Sequence, residues 1–243
     1  MVPGLALAGQ QPPASGPSAG PGGESGASFR AGTVQQLRDR IRGMQDGVPR
    51  IPLATHPALA DLVQLRTGGS YEVDSAGLAM ALIAASSRAG AWSAVVGAGD
   101  FGVEAAAEMG VDLARTVLVP DPGELWLEVT SALVDVVTMV VLRAPSGVSE
   151  RVAGRLGARL RKRSAALVAW GRWPGAEASL TLQSSSWSGL EHGHGRLLSR
   201  QVVVDVRRGS APARRTRLWL PGPDQTIGRV EEAAHTALDE ALA

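Results

Sequence analysis

The order of apolar segments predicts an α/β protein built on a mostly parallel sheet flanked by helices, with an antiparallel C-terminal extension. Three observations predict it. Between Tyr71 and Trp170, short runs rich in Val, Leu and Ala alternate with helical segments, the pattern of right-handed βαβ units whose strands are buried on both faces. After Trp173, three further strand-like runs follow with no helix between them. The 243 residues are 44% hydrophobic, enough apolar material for one sizeable core.

Residues 1–32 come first and are expected to be a disordered tail. Positions 9–28 are almost entirely Gly, Pro, Ser, Ala and Gln, with too little apolar surface to offset the entropy of ordering. Residues 33–66 read as an N-terminal helical segment. Thr33 and Gln36 make a capping box, Val34, Leu37, Ile41 and Met44 recur at helical spacing, and Gly43 to Gly47 end the helix. Pro49, Pro52 and Pro57 then force an irregular connection to a short helix at Ala58–Leu62.

The core is expected over residues 67–222. Its strands are Tyr71–Val73, Trp92–Val96, Thr116–Val119, Val136–Leu142 and Ala165–Trp170; its helices are Gly77–Ser87, Phe101–Met109, Gly123–Val134 and Glu150–Lys162. The later strands are Ser179–Gln183, Arg200–Arg207 and Arg215–Leu220. Residues 223–243 carry a last helix, Arg229–Leu242, with Val230, Ala234, Ala237, Leu238 and Leu242 on one stripe.

Composition narrows the function classes. There is no cysteine, so thiolate and disulfide chemistry is excluded. The longest apolar runs fall far short of the ~20 residues of a membrane span, and MVPGLALAGQ lacks the basic flank of a secretory signal. A cytoplasmic protein away from membranes is expected. The formal net charge of +1 conceals an asymmetry: residues 71–150 sum to −8, residues 151–219 to +11 and the last 22 residues to −4. Such a split points to an electropositive face for nucleic acid or an acidic protein, with an Arg-rich solvated surface as the plain alternative.

Most catalytic chemistry has no foothold. The chain has no G-x-x-x-x-G-K-[ST] phosphate loop, and its one lysine, Lys162, lies on an expected helix. His192 and His194 sit together in a Gly-rich turn without a suggested third metal ligand, and no serine lies in a nucleophile elbow. One rival remains. Gly97, Gly99 and Gly102 match G-x-G-x-x-G between a strand and a helix, with Asp121 after the next strand, as in a dinucleotide-binding protein. Against it stand the shortness of that helix, the position of the unit as second in the sheet and the 30 glycines of the chain.

The stretch from Tyr71 to Pro145 resembles the ATPase core of RecA. The resemblance rests on Ala84-Ala85-Ser86-Ser87-Arg88-Ala89-Gly90 leading into a strand, Met109-Gly110-Val111-Asp112-Leu113 before the next, and Asp121-Pro122-Gly123-Glu124 opening a helix. Within that superfamily the chain resembles the ImuA-like group, in its actinobacterial ImuA-prime form, through Trp187–Gly195 and Arg217–Gly222 as well. The resemblance implies a RecA-like fold and a role in damage-induced, error-prone translesion DNA synthesis beside an ImuB-like partner and, through it, an error-prone polymerase. The departures matter: Val73-Asp74-Ser75-Ala76-Gly77 stands where the phosphate loop belongs, and Leu142-Arg143 where a metal-binding acid ends its strand. The resemblance therefore implies an adaptor with no cofactor and no enzymatic activity.

Binding surfaces follow from pattern. On Glu150–Lys162, Val152, Leu156 and Leu160 form an apolar stripe beside Arg151, Arg155, Arg159 and Arg163. With Lys162, Arg207, Arg208 and Arg215 these are the DNA-binding candidates, and a solvated face is the equal alternative. Trp173 and Trp187, read as loop residues, can stack on unpaired bases or simply pack. Leu37 and Ile41 at one end, and Val230, Ala234, Leu238 and Leu242 at the other, are the partner-binding candidates. A homo-oligomer is left open.

Overall fold

The computed structural model describes residues 49–230, apart from residues 192 and 193 and the side chains of 191 and 194. The expected tail, the Thr33–Met44 helix with Leu37 and Ile41, His192 and the side chain of His194, and Ala234, Leu238 and Leu242 lie outside the described residues.

Local sequence accounts for the elements in order. His56 caps the short helix α1 (Pro57–Ala60), its Nδ1 accepting the Ala58 N–H, and Pro57 occupies the first turn, where a missing N–H costs nothing. β1 (Ser70–Val73) leads after two residues into α2 (Ala76–Arg88), capped by Ser75, whose Oγ accepts the Leu78 N–H at 3.4 Å. Next come β2 (Ser93–Val96), the six-residue α3 (Val103–Glu108) and β3 (Thr116–Val119). A 3₁₀ turn at Gly123–Leu125 opens α4 (Trp126–Val134), followed by β4 (Met139–Arg143), α5 (Glu150–Arg163) and β5 (Ala166–Trp170). Ser149 caps α5, Glu150 stands in its first turn, and Arg161, Lys162 and Arg163 stand in its last, matching the helix dipole at both ends. The chain ends its described course in β6 (Ala178–Glu191), β7 (His194–Arg208), β8 (Arg214–Trp219) and β9 (Gly228–Arg229).

Among the described residues the strands form one sheet ordered β3-β2-β4-β5-β1-β6-β7-β8-β9. Neighbours are parallel from β3 through β6 and antiparallel from β6 to β9. From β1 the chain crosses to β2 and outward to β3, then turns back to β4 and β5. Right-handed crossovers then place α2 and α3 on one face and α4 and α5 on the other. The core divides the same way. Leu78, Leu82 and Ile83 of α2 and Ala106 of α3 pack with Val95, Val141 and Val168, whereas Val134 of α4 and Leu156 and Leu160 of α5 pack with Val96, Leu142 and Leu167. Strands fed on both faces must be apolar at successive positions, which is why β2, β4 and β5 read as unbroken Val, Leu and Ala runs.

The antiparallel strands are covered on one face only. Leu180, Val202, Val204, Val206 and Leu218 join the core that also holds α2, while Thr181, Arg207, Arg215 and Arg217 at alternate positions are exposed. The expected fold class therefore holds: a mostly parallel sheet between helices, with an antiparallel extension.

Most boundaries shift by a residue or two, and three places differ more from the sequence reading. Val136 and Val137 were expected to begin a strand, but their N–H groups bond back to the Leu133 carbonyl at 3.0 and 2.9 Å and finish α4. Gly228 and Arg229, placed at the start of a helix region, instead pair with Trp219 and Leu218 as β9, and the Val230 N–H bonds the Arg217 carbonyl at 3.2 Å. Satisfying the open edge of β8 decides that segment. β6 and β7 run to 14 and 15 residues, well past the expected Ser179–Gln183 and Arg200–Arg207, because mutual pairing carries Ser- and Gly-rich positions of low strand propensity.

Candidate nucleic-acid and partner surfaces

Open α/β sheets hold ligands outside the carboxyl ends of their strands. Here the ends of β1 and β4 on that edge are occupied by the chain's own side chains. The β1–α2 connection is only Asp74 and Ser75: Ser75 caps the helix, and the Asp74 carboxylate accepts the Leu182 N–H at 2.8 Å. A Cβ added at Gly77 would lie 3.3 Å from Leu220 Cδ2, so the first turn of α2 is already packed. These residues do not fit a triphosphate, which needs several outward backbone amides and a lysine.

At the end of β4, Arg143 forms an ion pair with Asp100, and its guanidinium lies 4.5 Å from the Trp170 ring centroid. Its hydrogen bond holds the Asp100 carboxyl below the usual range. A cation stands where a magnesium-binding strand needs a carboxylate, so the residues do not fit the metal either. The sequence reading missed this pair, although a lone arginine ending an apolar strand was a visible signal.

The glycine motif is occupied by the same packing. Gly97 has φ 74°, its N–H bonds the Val119 carbonyl at 2.9 Å, and a Cβ there would meet the Arg143 carbonyl at 3.3 Å. Gly102 caps the six-residue α3, and the Asp121 carboxylate accepts the Gly123 N–H at 3.2 Å within its own turn. Gly99 has the most room, its nearest neighbour to an added Cβ being the Pro120 carbonyl at 3.9 Å.

The arginine stripe of α5 is exposed but partly spent. Arg159 donates from Nε and Nη2 to Asp135 at 2.8 and 2.7 Å, and Arg163 reaches the same carboxylate at 3.2 Å. The hydrogen bond from Arg159, then the nearby Arg163, holds the Asp135 carboxyl down to about 2. Among the described residues Arg151, Arg155 and Lys162 have no carboxylate partner. Arg155, Arg159, Lys162 and Arg163 rim a depression of about 610 Å³ between α4 and α5. The buried stripe is also shifted: Ala153 joins Leu156 and Leu160 in the core, while Val152 is half-buried.

The remaining cations divide between faces of the sheet. Arg207 and Arg215 share the uncovered face, whereas Arg208 pairs with Ala178 at the end of β7 and belongs to the opposite register. Arg215 is bound through Nε and Nη2 to Asp205, its cross-strand neighbour, at 2.7 and 2.9 Å, and this keeps the Asp205 carboxyl low. Arg207 and Arg217 have no such partner among the described residues. Between this face and residues 171–176 lies a depression of about 770 Å³, where Arg172, Arg207, Thr181 and Gln183 are accompanied by Glu72 and Glu150. Of the DNA-binding candidates, Arg155, Arg159, Lys162 and Arg163 thus line one depression and Arg207 the other, while Arg151, Arg208 and Arg215 line neither.

The two tryptophans part company. Trp173 is 3% exposed and packs into the core beneath α5, its N–H bonding the Glu72 carboxylate at 2.7 Å, which rules out base stacking there. Trp187 is 46% exposed and sits in β6 rather than in a loop. Of the partner-binding candidates, the described one, Val230, is half-buried just past β9.

Among the described residues no helix is long and apolar enough to cross a membrane. A family model described as the MT3502 N-terminal domain matches residues 58–175, from α1 to the connection after β5. The chain is also 36% identical over 113 residues to the uncharacterized protein Rv3395c of Mycobacterium tuberculosis, an alignment covering 46% of this chain and 50% of that protein. The chain spans about half the length of the curated relative it matches, and the family model's match falls on the parallel half of the sheet.

Proposed function

We propose that this chain is a non-catalytic, RecA-like accessory protein of bacterial error-prone translesion DNA synthesis, an adaptor in the cytoplasm that joins an ImuB-like partner and contacts DNA. The observation that carries the reading is the carboxyl edge of the sheet. A two-residue turn replaces a phosphate loop, and the Arg143–Asp100 pair, stacked on Trp170, occupies the position of a metal-binding acid. A protein that keeps this sheet yet fills its ligand edge with its own side chains retains surfaces as its means of action. The likeness over 113 residues to a protein of Mycobacterium tuberculosis is in keeping with the actinobacterial group that the sequence resembles.

In this role the uncovered sheet face meets DNA phosphates through Arg207 and Arg217, and the α5 cations Arg151, Arg155 and Lys162 form a second basic surface. The apolar stripe ending at Leu242 meets the partner. The test is co-purification of the tagged chain from cells treated with a DNA-damaging agent. An ImuB-like protein and an error-prone polymerase are expected with the full chain and lost when residues 231–243 are removed. Recovery of metabolic enzymes alone overturns the assignment.

A further inference from the structure

β6 and β7 extend far beyond the strands that support them. β1 pairs with β6 only over Ala178–Leu180, and β8 pairs with β7 only over Gln201–Val206. At the base of the projecting part, Arg200 exchanges backbone bonds with Leu220 and Pro221, and Gln225 Nε2 donates to the Leu198 carbonyl at 2.8 Å. Farther out, the strands pair with each other. Gly189 alone faces Arg196, Leu197 and Leu198, and with φ 102° it accepts a position where a Cβ would overlap the Arg196 carbonyl. An isolated two-stranded ribbon is marginally stable in water, so apolar groups on it need a reason.

This arm nevertheless carries four of the ten large hydrophobic residues exposed among the described positions: Trp187, Leu190, Leu197 and Leu198. Trp187 stands directly opposite Arg200, whose guanidinium lies 5.4 Å from the indole centroid. The Arg200 Nε is buried without a hydrogen-bond partner, and neither Arg196 nor Arg200 has a carboxylate partner among the described residues. Arg196 lies four residues from Arg200, about 13 Å along an extended strand. The neighbours of Trp187 on β6 are Ser184, Ser185, Ser186 and Ser188, small donors that leave the ring accessible.

We infer that the β6–β7 arm is a platform for single-stranded nucleic acid, with a base stacking on Trp187 and phosphates meeting Arg196 and Arg200. An exposed indole backed by a guanidinium suits an unpaired base, whose π-face is available, better than a duplex, whose bases are stacked on one another. The unpaired cations supply the charge complementarity to phosphate. The inference rests on the DNA contact proposed above and assigns it a place and a strand preference.

The experiment measures affinity of the full chain for a fluorescent oligothymidylate of about 16 nucleotides, within the span of known single-strand sites, and for the same oligomer annealed to its complement. Trp187→Ala should weaken single-strand binding by about 5- to 150-fold, the factor corresponding to one lost base stack, and leave the duplex affinity and the thermal transition unchanged. Trp187→Phe should restore most of the loss. Arg196→Ala should flatten the single-strand salt dependence by about 0.7 in slope. Equal losses on single strand and duplex would make the arm a groove-inserting ribbon and overturn the inference. Unchanged binding in Trp187→Ala would overturn it while leaving DNA contact elsewhere intact. If the wild-type chain binds oligothymidylate no more tightly than the duplex, the inference falls; if it binds neither, the DNA part of the functional reading falls with it, while partner capture remains separately testable.

Discussion

The two halves of the sheet differ in how far helices cover them and in which of their arginines meet carboxylates. In the parallel half, from β3 to β1, helices cover both faces; Arg143 pairs with Asp100, and Arg159 and Arg163 with Asp135, while Arg151, Arg155 and Lys162 have no carboxylate partner among the described residues. In the antiparallel half, one face lacks helices, the ribbon outruns its neighbours, and Arg196, Arg200, Arg207 and Arg217 have no carboxylate partner among the described residues. The matched family model ends at residue 175, just before β6 begins at Ala178. On the proposed reading, the closed half supplies chiefly a scaffold and the open half the main binding surface.

The largest expected effect separates the halves by stability. Leu167→Ala, in a fully buried strand between two cores, should cost about 2–5 kcal/mol in urea unfolding. Leu197→Ala, an exposed position on the arm, should cost about 0.5 kcal/mol or less. Comparable losses would show that the arm is packed as firmly as the core and would break the contrast.

A smaller and sharper difference concerns phosphate contact. Arg207→Ala and Arg217→Ala should each flatten the salt dependence of duplex binding by about 0.9 in slope, whereas Arg159→Ala, already committed to Asp135, should leave it unchanged. A flattening by Arg159→Ala alone would move the DNA surface to α5.

The smallest effect is a pH dependence at α1, which is tied to the antiparallel half by Arg214 and Arg229 on Asp61. Burial, then the nearby Arg88, lowers the pKa of His56 in the folded chain from 6.5. The unfolded chain therefore takes up the proton first, so stability falls as pH drops below 6.5. His56→Asn preserves an N-cap and should remove that decline, a change of ~0.5 kcal/mol or less because much of the ring remains solvent-screened. An undiminished decline in the variant would assign it to other groups.

Most of the fold was legible because local rules agreed with one another. Apolar runs with helices between them set the parallel strands, while the caps Ser75 and Ser149 of α2 and α5 were signals the sequence carried but its reading did not use. Thr116–Val119 matches the sequence reading in full, and β5 and α5 differ from it by a residue at one end. The surfaces were less legible. A stripe of arginines at spacing four is a correct statement about one helix, but sequence alone does not say that Asp135 from the preceding helix will neutralise two of them.

By itself the sequence determined the order and type of most elements, the absence of a G-x-x-x-x-G-K-[ST] phosphate loop and the concentration of positive charge after residue 150, since each depends on neighbours within a few positions. Tertiary structure decided which charges remain available and which tryptophan is exposed. Trp173 and Trp187 both stand among Gly, Ser and Pro, yet one closes the core beneath α5 and the other faces solvent on the arm. Arg200 reaches Trp187 only because the hairpin register sets them opposite each other, and Asp100 meets Arg143 only because β2 and β4 are neighbours across the point where the chain reverses its winding. Those pairings span 13 and 43 residues of sequence, and no local propensity encodes a register or a crossover.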